Sequence, residues 1–243
     1  MELTTPLFGT WDFCASPKNY GCINELGANK KIEVGQRLAD LHFAGLLVDD
    51  VKPTIANNEL LRQIIGHIKS KRYSSFVSFE FSDFILFPED IDFFNNNASC
   101  IMFESDRLTQ NLAAGQSLEA QYIDTLRGID QNKVDVVSKF SINENFLKTG
   151  DGIMEFLLRN GVSKVLLIKD ENDLQSNRMQ IASRIAMLKV SYADRMDIRT
   201  QTGAEPPWAL HIMCDGTVKS DCEANLQVLD HDWSELWRRV QCL

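Results

Sequence analysis

No stretch of this sequence approaches the roughly 20 consecutive apolar residues that a membrane span requires, and no basic run leading into an apolar segment stands at its amino terminus. Basic charge is also short, with 25 Lys and Arg against 34 Asp and Glu and a formal net charge of -9. A net anion is not drawn to nucleic-acid phosphates or to an anionic bilayer, so neither a nucleic acid nor a membrane is expected as a partner. Internal repeats and low-complexity tracts are missing too, and Asn95-Asn96-Asn97 is only a polar turn. A cytoplasmic, soluble protein is the expectation.

Cysteine is sparse. The six residues Cys14, Cys22, Cys100, Cys214, Cys222 and Cys242 are scattered over 243 positions, and without a secretory signal they are expected to be reduced thiols or ligands rather than a disulfide framework. Cys100 sits in the apolar run 98–104, where a cysteine behaves as a small buried apolar residue. Cys14 and Cys22 have seven residues between them, a loose pair, because a metal site usually draws two ligands from one tight turn.

What the chain has in quantity is alternation. The opening run, Leu3 to Cys22, holds Leu7, Phe8, Trp11 and Phe13 and reads as a first strand ending near Cys14, followed by a loop. Helical spacing over 32–44 leads into the apolar run Gly45-Leu46-Leu47-Val48, closed by Asp49 and Asp50. Asn57 can cap a helix with Leu60, Leu61, Ile64, Ile65 and Ile68 on one face. Strands are expected at 76–81, 98–104, 134–142 and 162–169, with helices over 89–94, 117–129, 151–160 and 175–189 between and after them. About six strand-then-helix units with no hairpin signal imply parallel strands joined by helical crossovers. The expected fold is therefore α/β, a partial (open) parallel β/α barrel over residues 1–200. Residues 201–243 read as a small extension, with a strand over Trp208 to Cys214, the tight turn Asp215-Gly216, a return strand over Val218 to Ser220, and a helix presenting Trp233, Leu236, Trp237 and Val240 on one face.

The order of elements resembles that of the radical SAM enzymes, and the tail resembles the appended half-domain called SPASM or twitch in their peptide-modifying members. The tail match rests on Asp215-Gly216-Thr217-Val218, then Cys222, then Asn225-Leu226-Gln227-Val228, then Trp233-Ser234-Glu235-Leu236-Trp237. The resemblance implies a [4Fe-4S] cluster and S-adenosylmethionine as cofactors, and a peptide substrate or an active paralogue as partner. The sequence departs from the family at two places. Members hold the cluster through Cys-x3-Cys-x2-Cys, which leaves one iron open, whereas this loop offers Cys14 and Cys22. The family's Gly-Gly-Glu-Pro aligns with Asp50-Val51-Lys52-Pro53, which keeps only the proline. The resemblance thus implies a degenerate member.

In such a barrel the carboxyl ends of the strands form the ligand face. The polar residues expected there are Asp49 and Asp50, Glu80 and Ser82, Glu104 and Asp106, Ser141 and Asn143, and Lys169 and Asp170. Glu80, between Phe79 and Phe81, is the carboxylate least suited to an idle surface role. By resemblance, Glu104 and Asp106 lie where the family turns polar side chains toward the ribose or amino end of its cofactor, and Asp50 and Glu80 join them as cofactor-binding candidates. Cys14, Cys22, Cys214 and Cys222 are the candidate metal ligands, with His211 close in sequence to Cys214. Three functions compete: a cluster-free binding or scaffold protein, an active enzyme whose cluster uses Cys14, Cys22 and a third ligand such as Cys100, and an ordinary α/β-barrel enzyme using Glu80, Glu104 and Lys169 for acid and base work.

Overall fold

The structure, a computed structural model, describes residues 6–15, 24–41, 43–52, 54–71, 76–81, 88–115, 120–169, 178–202, 209–220, 222 and 226–242. In chain order the elements are β1 (Phe8–Asp12), α1 (Ala28–Asp40), β2 (Gly45–Val51), α2 (Ile55–Lys71), β3 (Phe76–Phe81), α3 (Pro88–Asn97), β4 (Cys100–Glu104) and α4 (Asp106–Ala113). They continue as α5 (Ala120–Gly128), β5 (Asp135–Ser141), α6 (Glu144–Arg159), β6 (Lys164–Lys169), α7 (Arg178–Tyr192), β7 (Asp197–Thr202), β8 (Ala209–Ile212) and α8 (Trp233–Val240).

The chain divides into two compact units, one of residues 1–82, 96–99 and 205–243, the other of 83–95 and 100–204. In the first, the strand order is β3-β2-β1-β8 and every pairing is parallel. Trp11 and Phe13 are fully buried with ring centroids 5.2 Å apart, edge to face, and Val48, Val51, Phe79 and Phe81 are equally buried. Helix α1 buries Val34 and Leu38, and α2 buries Leu61, Ile64, Ile65 and Ile68. Each large apolar side chain taken wholly from water contributes about 1.5–3 kcal/mol, so these two helix faces are the main reason the crossovers hold.

In the second unit the order is β4-β5-β6-β7, again parallel throughout. Its core joins Ile101, Phe103, Phe140, Phe146, Ile153, Met154, Leu157, Val165 and Leu167, with the Phe140 and Phe146 rings 5.5 Å apart. Asn143 caps α6 by accepting from the Phe146 N–H at 3.0 Å, and Gly161 takes the left-handed φ of 84° after the helix end. The fold class is the expected one: parallel strands alternating with helices, in an open parallel β/α barrel arrangement.

Two elements differ from the sequence reading. Strand β7 (Asp197–Thr202) was not among the expected strands, because its alternation is carried by polar side chains rather than by an apolar run. Strand β8, expected to open a separate hairpin, pairs in parallel with β1 from Phe8↔Ala209 to Trp11↔Ile212. Its return partner is reduced to single bridges, Ile212↔Val218 and Thr217↔Gln227. The Asp215-Gly216 turn is as expected: Gly216 has φ 81°, and the Thr217 N–H donates to Asp215 Oδ1 at 2.9 Å. Helix α8 starts at Asp232, which accepts from the Glu235 N–H, and its Trp237 is 2% exposed. The Trp233 indole N–H donates to the Arg37 carbonyl at 2.9 Å, while Arg37 donates in return to the Val228 and His231 carbonyls.

Candidate functional site

The first unit carries a cluster at the carboxyl ends of β1 and β2. Parallel register sets Asp12 beside Asp49, and Asp12 is buried at 1% exposure between Trp11 and Phe13. On the other side of β1, Thr10 pairs with His211. Thr10 and Asp12 lie on one face of the strand, and the His211 Nε2 stands 2.8 Å from Asp12 Oδ1, donating to it.

Strand β2 is irregular at this point. Val48 pairs with Phe79 and Val51 with Phe81, so two residues, Asp49 and Asp50, oppose the single Glu80. Such a bulge re-aims side chains. Asp50 has φ 52°, the left-handed region that short polar side chains such as Asp enter more readily than others, and its N–H donates to Asp49 Oδ1 at 2.7 Å. One carboxylate oxygen each from Asp12, Asp49 and Asp50 lies within 4.8 Å of the others, and this is the only such potential ligand group among the described residues. At an effective dielectric of about 20, two ionised carboxylates that close repel by about 3 kcal/mol or more. The Asp12 Oδ2 is buried with no hydrogen-bond donor among the described residues.

Beyond β1 lies Cys14, a free thiol at 1% exposure. Its Sγ accepts from the Asn57 amide at 3.3 Å, and the same amide donates to the Lys52 carbonyl at 3.0 Å. Burial pushes the Cys14 thiol up from its ordinary pKa, against the smaller lowering effects of a backbone contact at Lys52 and the Lys31 charge. The Ala15 N–H donates to Glu25 at 3.0 Å, and Lys31, almost wholly buried over the Phe13 ring, donates to the other Glu25 oxygen at 2.5 Å. Burial works to raise the Glu25 carboxyl, but the Lys31 ammonium and the Ala15 N–H outweigh it and hold the group below the usual range. Beside Glu25, residues 24–30 and Asp215 line a cleft of about 540 Å³.

The remaining expected residues are placed as follows. Glu80 is buried at 4% exposure, as its neighbours imply. In the second unit, Glu104 ends β4, and Asp106 opens α4 with its carboxylate accepting from the Ser141 N–H at 2.7 Å and the Ser141 hydroxyl at 2.6 Å. Asp106 thus ties α4 to the end of β5. Asn143 is a helix cap. Cys22, Ser82 and Asp170 lie outside the described residues, as does the Lys169 side chain.

Cys100 begins β4 rather than ending it, so it sits at the strand end away from the usual ligand face. Cys222 is bonded to Cys242, and Cys214 is also in a disulfide. These three thus differ from the expectation of reduced thiols, each being placed in a disulfide. His211 turns to Asp12. The sequence reading missed Asp12 itself, although a carboxylate set between Trp11 and Phe13 carries the same signal of burial that singled out Glu80.

The sequence matches no protein-family model and no curated protein. Among solved structures, the chain is similar to Streptococcus suis SuiB bound to S-adenosylmethionine, at 9% identity and a TM-score of 0.71, over 98% of this chain and 65% of that one. It is also similar to native anSMEcpe with bound AdoMet, at 12% identity and a TM-score of 0.67, over 96% of this chain and 81% of that one. The chain thus spans about two thirds of the length of SuiB. A likeness at this identity is one of fold alone.

Proposed function

We propose that this chain is a radical SAM-like protein that binds a peptide or a partner protein and has given up the usual cleavage of S-adenosylmethionine. The observation that carries the reading is the cysteine content of the sequence after the first strand. A four-iron cluster with one open iron takes three thiolates, and the sequence before Asp49 supplies only Cys14 and Cys22. Cys14 is buried, hydrogen-bonded by the Asn57 amide and held toward its neutral thiol form. These residues do not fit the cluster, and Asp50-Val51-Lys52-Pro53 does not reproduce the glycine-rich stretch by which the family meets the methionyl amine.

Supporting a binding role, the strand ends of the first unit present carboxylates, namely Asp12, Asp49, Asp50 and Glu80, which favour a cationic group. The cleft beside Glu25 and Asp215 has room for a few side chains of a docked segment. The SPASM- or twitch-like reading of residues 201–243 points the same way, toward a peptide.

Anaerobic reconstitution with iron and sulfide tests this. The protein is expected to stay colourless, without stoichiometric iron, and to give no 5′-deoxyadenosine when reduced and supplied with S-adenosylmethionine. Turnover-level product that disappears in a Cys14→Ala, Cys22→Ala double variant would overturn the proposal.

A further inference from the structure

We propose that Asp12, Asp49 and Asp50 form a binding site for a hard divalent cation of the Mg²⁺ or Mn²⁺ kind at the carboxyl ends of β1 and β2. Three observations support it. The three carboxylate oxygens lie within 4.8 Å of one another, and a cation about 2.0–2.4 Å from each of its oxygens spans no more than that between opposite ligands. All three donors are carboxylates, with no sulfur among them, and carboxylate sets select Mg²⁺, Mn²⁺ or Ca²⁺ over softer metals. The Asp12 Oδ2, in a side chain 1% exposed, has no hydrogen-bond donor among the described residues. Buried polar atoms in folded proteins are nearly always satisfied, and a cation satisfies this one.

The surroundings match the way proteins prepare a metal ligand. His211 Nε2 donates to Asp12 Oδ1 at 2.8 Å, which fixes the carboxylate's orientation from outside the coordination shell, and such outer partners tune affinity. His211 is therefore a positioning residue. The bulge in β2 brings Asp49 and Asp50, adjacent in sequence, to the same point, although in a regular strand they would face opposite sides. This inference does not rest on the binding-protein reading, since oxygen donors and thiolates recruit different metals.

The test is a Mn²⁺ titration of the EDTA-stripped full chain, following free Mn²⁺ by electron paramagnetic resonance, with Mg²⁺ and Ca²⁺ as competitors. One Mn²⁺ per chain is expected, displaced by Mg²⁺ or Ca²⁺. Asp49→Asn should weaken it by about tenfold or more, and His211→Ala by a similar factor that His211→Gln, which keeps an N–H donor, largely restores. The exposed Asp230→Asn is the control and should leave the affinity unchanged. Asp12→Asn probes the buried ligand, and because its burial puts folding at stake, the half-buried Asp49 decides the matter with circular dichroism as the check. No saturable binding of any of the three cations, or Mn²⁺ binding that Asp49→Asn leaves unchanged, would overturn the inference. Iron-sulfide reconstitution reports on the cysteines alone, so the two tests fail separately.

Discussion

Helix α1, which connects the strands that carry Asp12 and Asp49, packs on α2 at Gly35. A Cβ placed there would lie 2.5 Å from Ile64 Cγ2, 3.1 Å from its Cγ1 and 3.3 Å from its Cβ. Ile64 is 2% exposed and branched at Cβ, so it has no free rotamer into which to retreat. In the wild-type background Gly35→Ala meets an overpacking cost of about 1–3 kcal/mol, offset by about 1 kcal/mol of improved helix propensity. The net expectation is destabilisation of up to about 2 kcal/mol. Ile64→Ala removes the two nearest atoms and itself costs about 2–5 kcal/mol. In that background Gly35→Ala should become neutral or stabilising by up to about 1 kcal/mol. Urea denaturation of the four proteins gives the double-mutant cycle, with the m-value as a check that the denatured state is unchanged. An equal effect of Gly35→Ala in both backgrounds would show that the helices do not meet at this point.

Trp237→Ala should cost about 3–5 kcal/mol, because a buried indole at 2% exposure leaves a large cavity, and a midpoint shift worth under about 1 kcal/mol in urea would show α8 to be loosely docked. Cys100 gives a pH signature: burial, with a smaller contribution from Asp135, pushes its thiol up from 9.0 to about 11. The unfolded chain therefore loses this proton first, and stability should fall between pH 9 and 11, by about 1.4 kcal/mol at pH 10. Cys100→Ala should remove that increment from a pH series of urea midpoints, and an unchanged pH dependence would count against a buried thiol.

The parallel fold was legible because its evidence is periodic and redundant. Phe76–Phe81 alternates and α2 sets Leu61, Ile64, Ile65 and Ile68 on one face, so no single residue had to be read correctly. Strand β7 was not legible, since Asp197, Arg199 and Gln201 alternate without an apolar face to mark it. The pairing of β8 was hidden for a different reason: Asp215-Gly216 announces a turn back on the strand, but the preference of Ala209–Ile212 for β1 is decided by long-range register that local pattern does not encode. The site was half legible. Asp49 and Asp50 were named as rim candidates, yet their grouping with Asp12 depends on a bulge and a positive φ. The partner of His211 was sought among nearby cysteines, whereas it lies 199 positions away on the neighbouring strand.

Cys14 and Asp12, two residues apart, offer different chemistry from one short segment. Strand β1 contributes Trp11 and Phe13 to the core, and this apolar anchoring depends on size and alternation. The chemistry depends on donor atoms two residues apart. A thiolate site needs its sulfurs accessible and ionised, yet Cys14 is buried under the Asn57 amide with its thiol pushed toward the neutral form. The carboxylate of Asp12 is instead fixed by His211 and set beside two more. Oxygen donors of this kind suit hard cations. The reconstitution and the cation titration, taken on the same protein, therefore ask opposite questions of neighbouring residues.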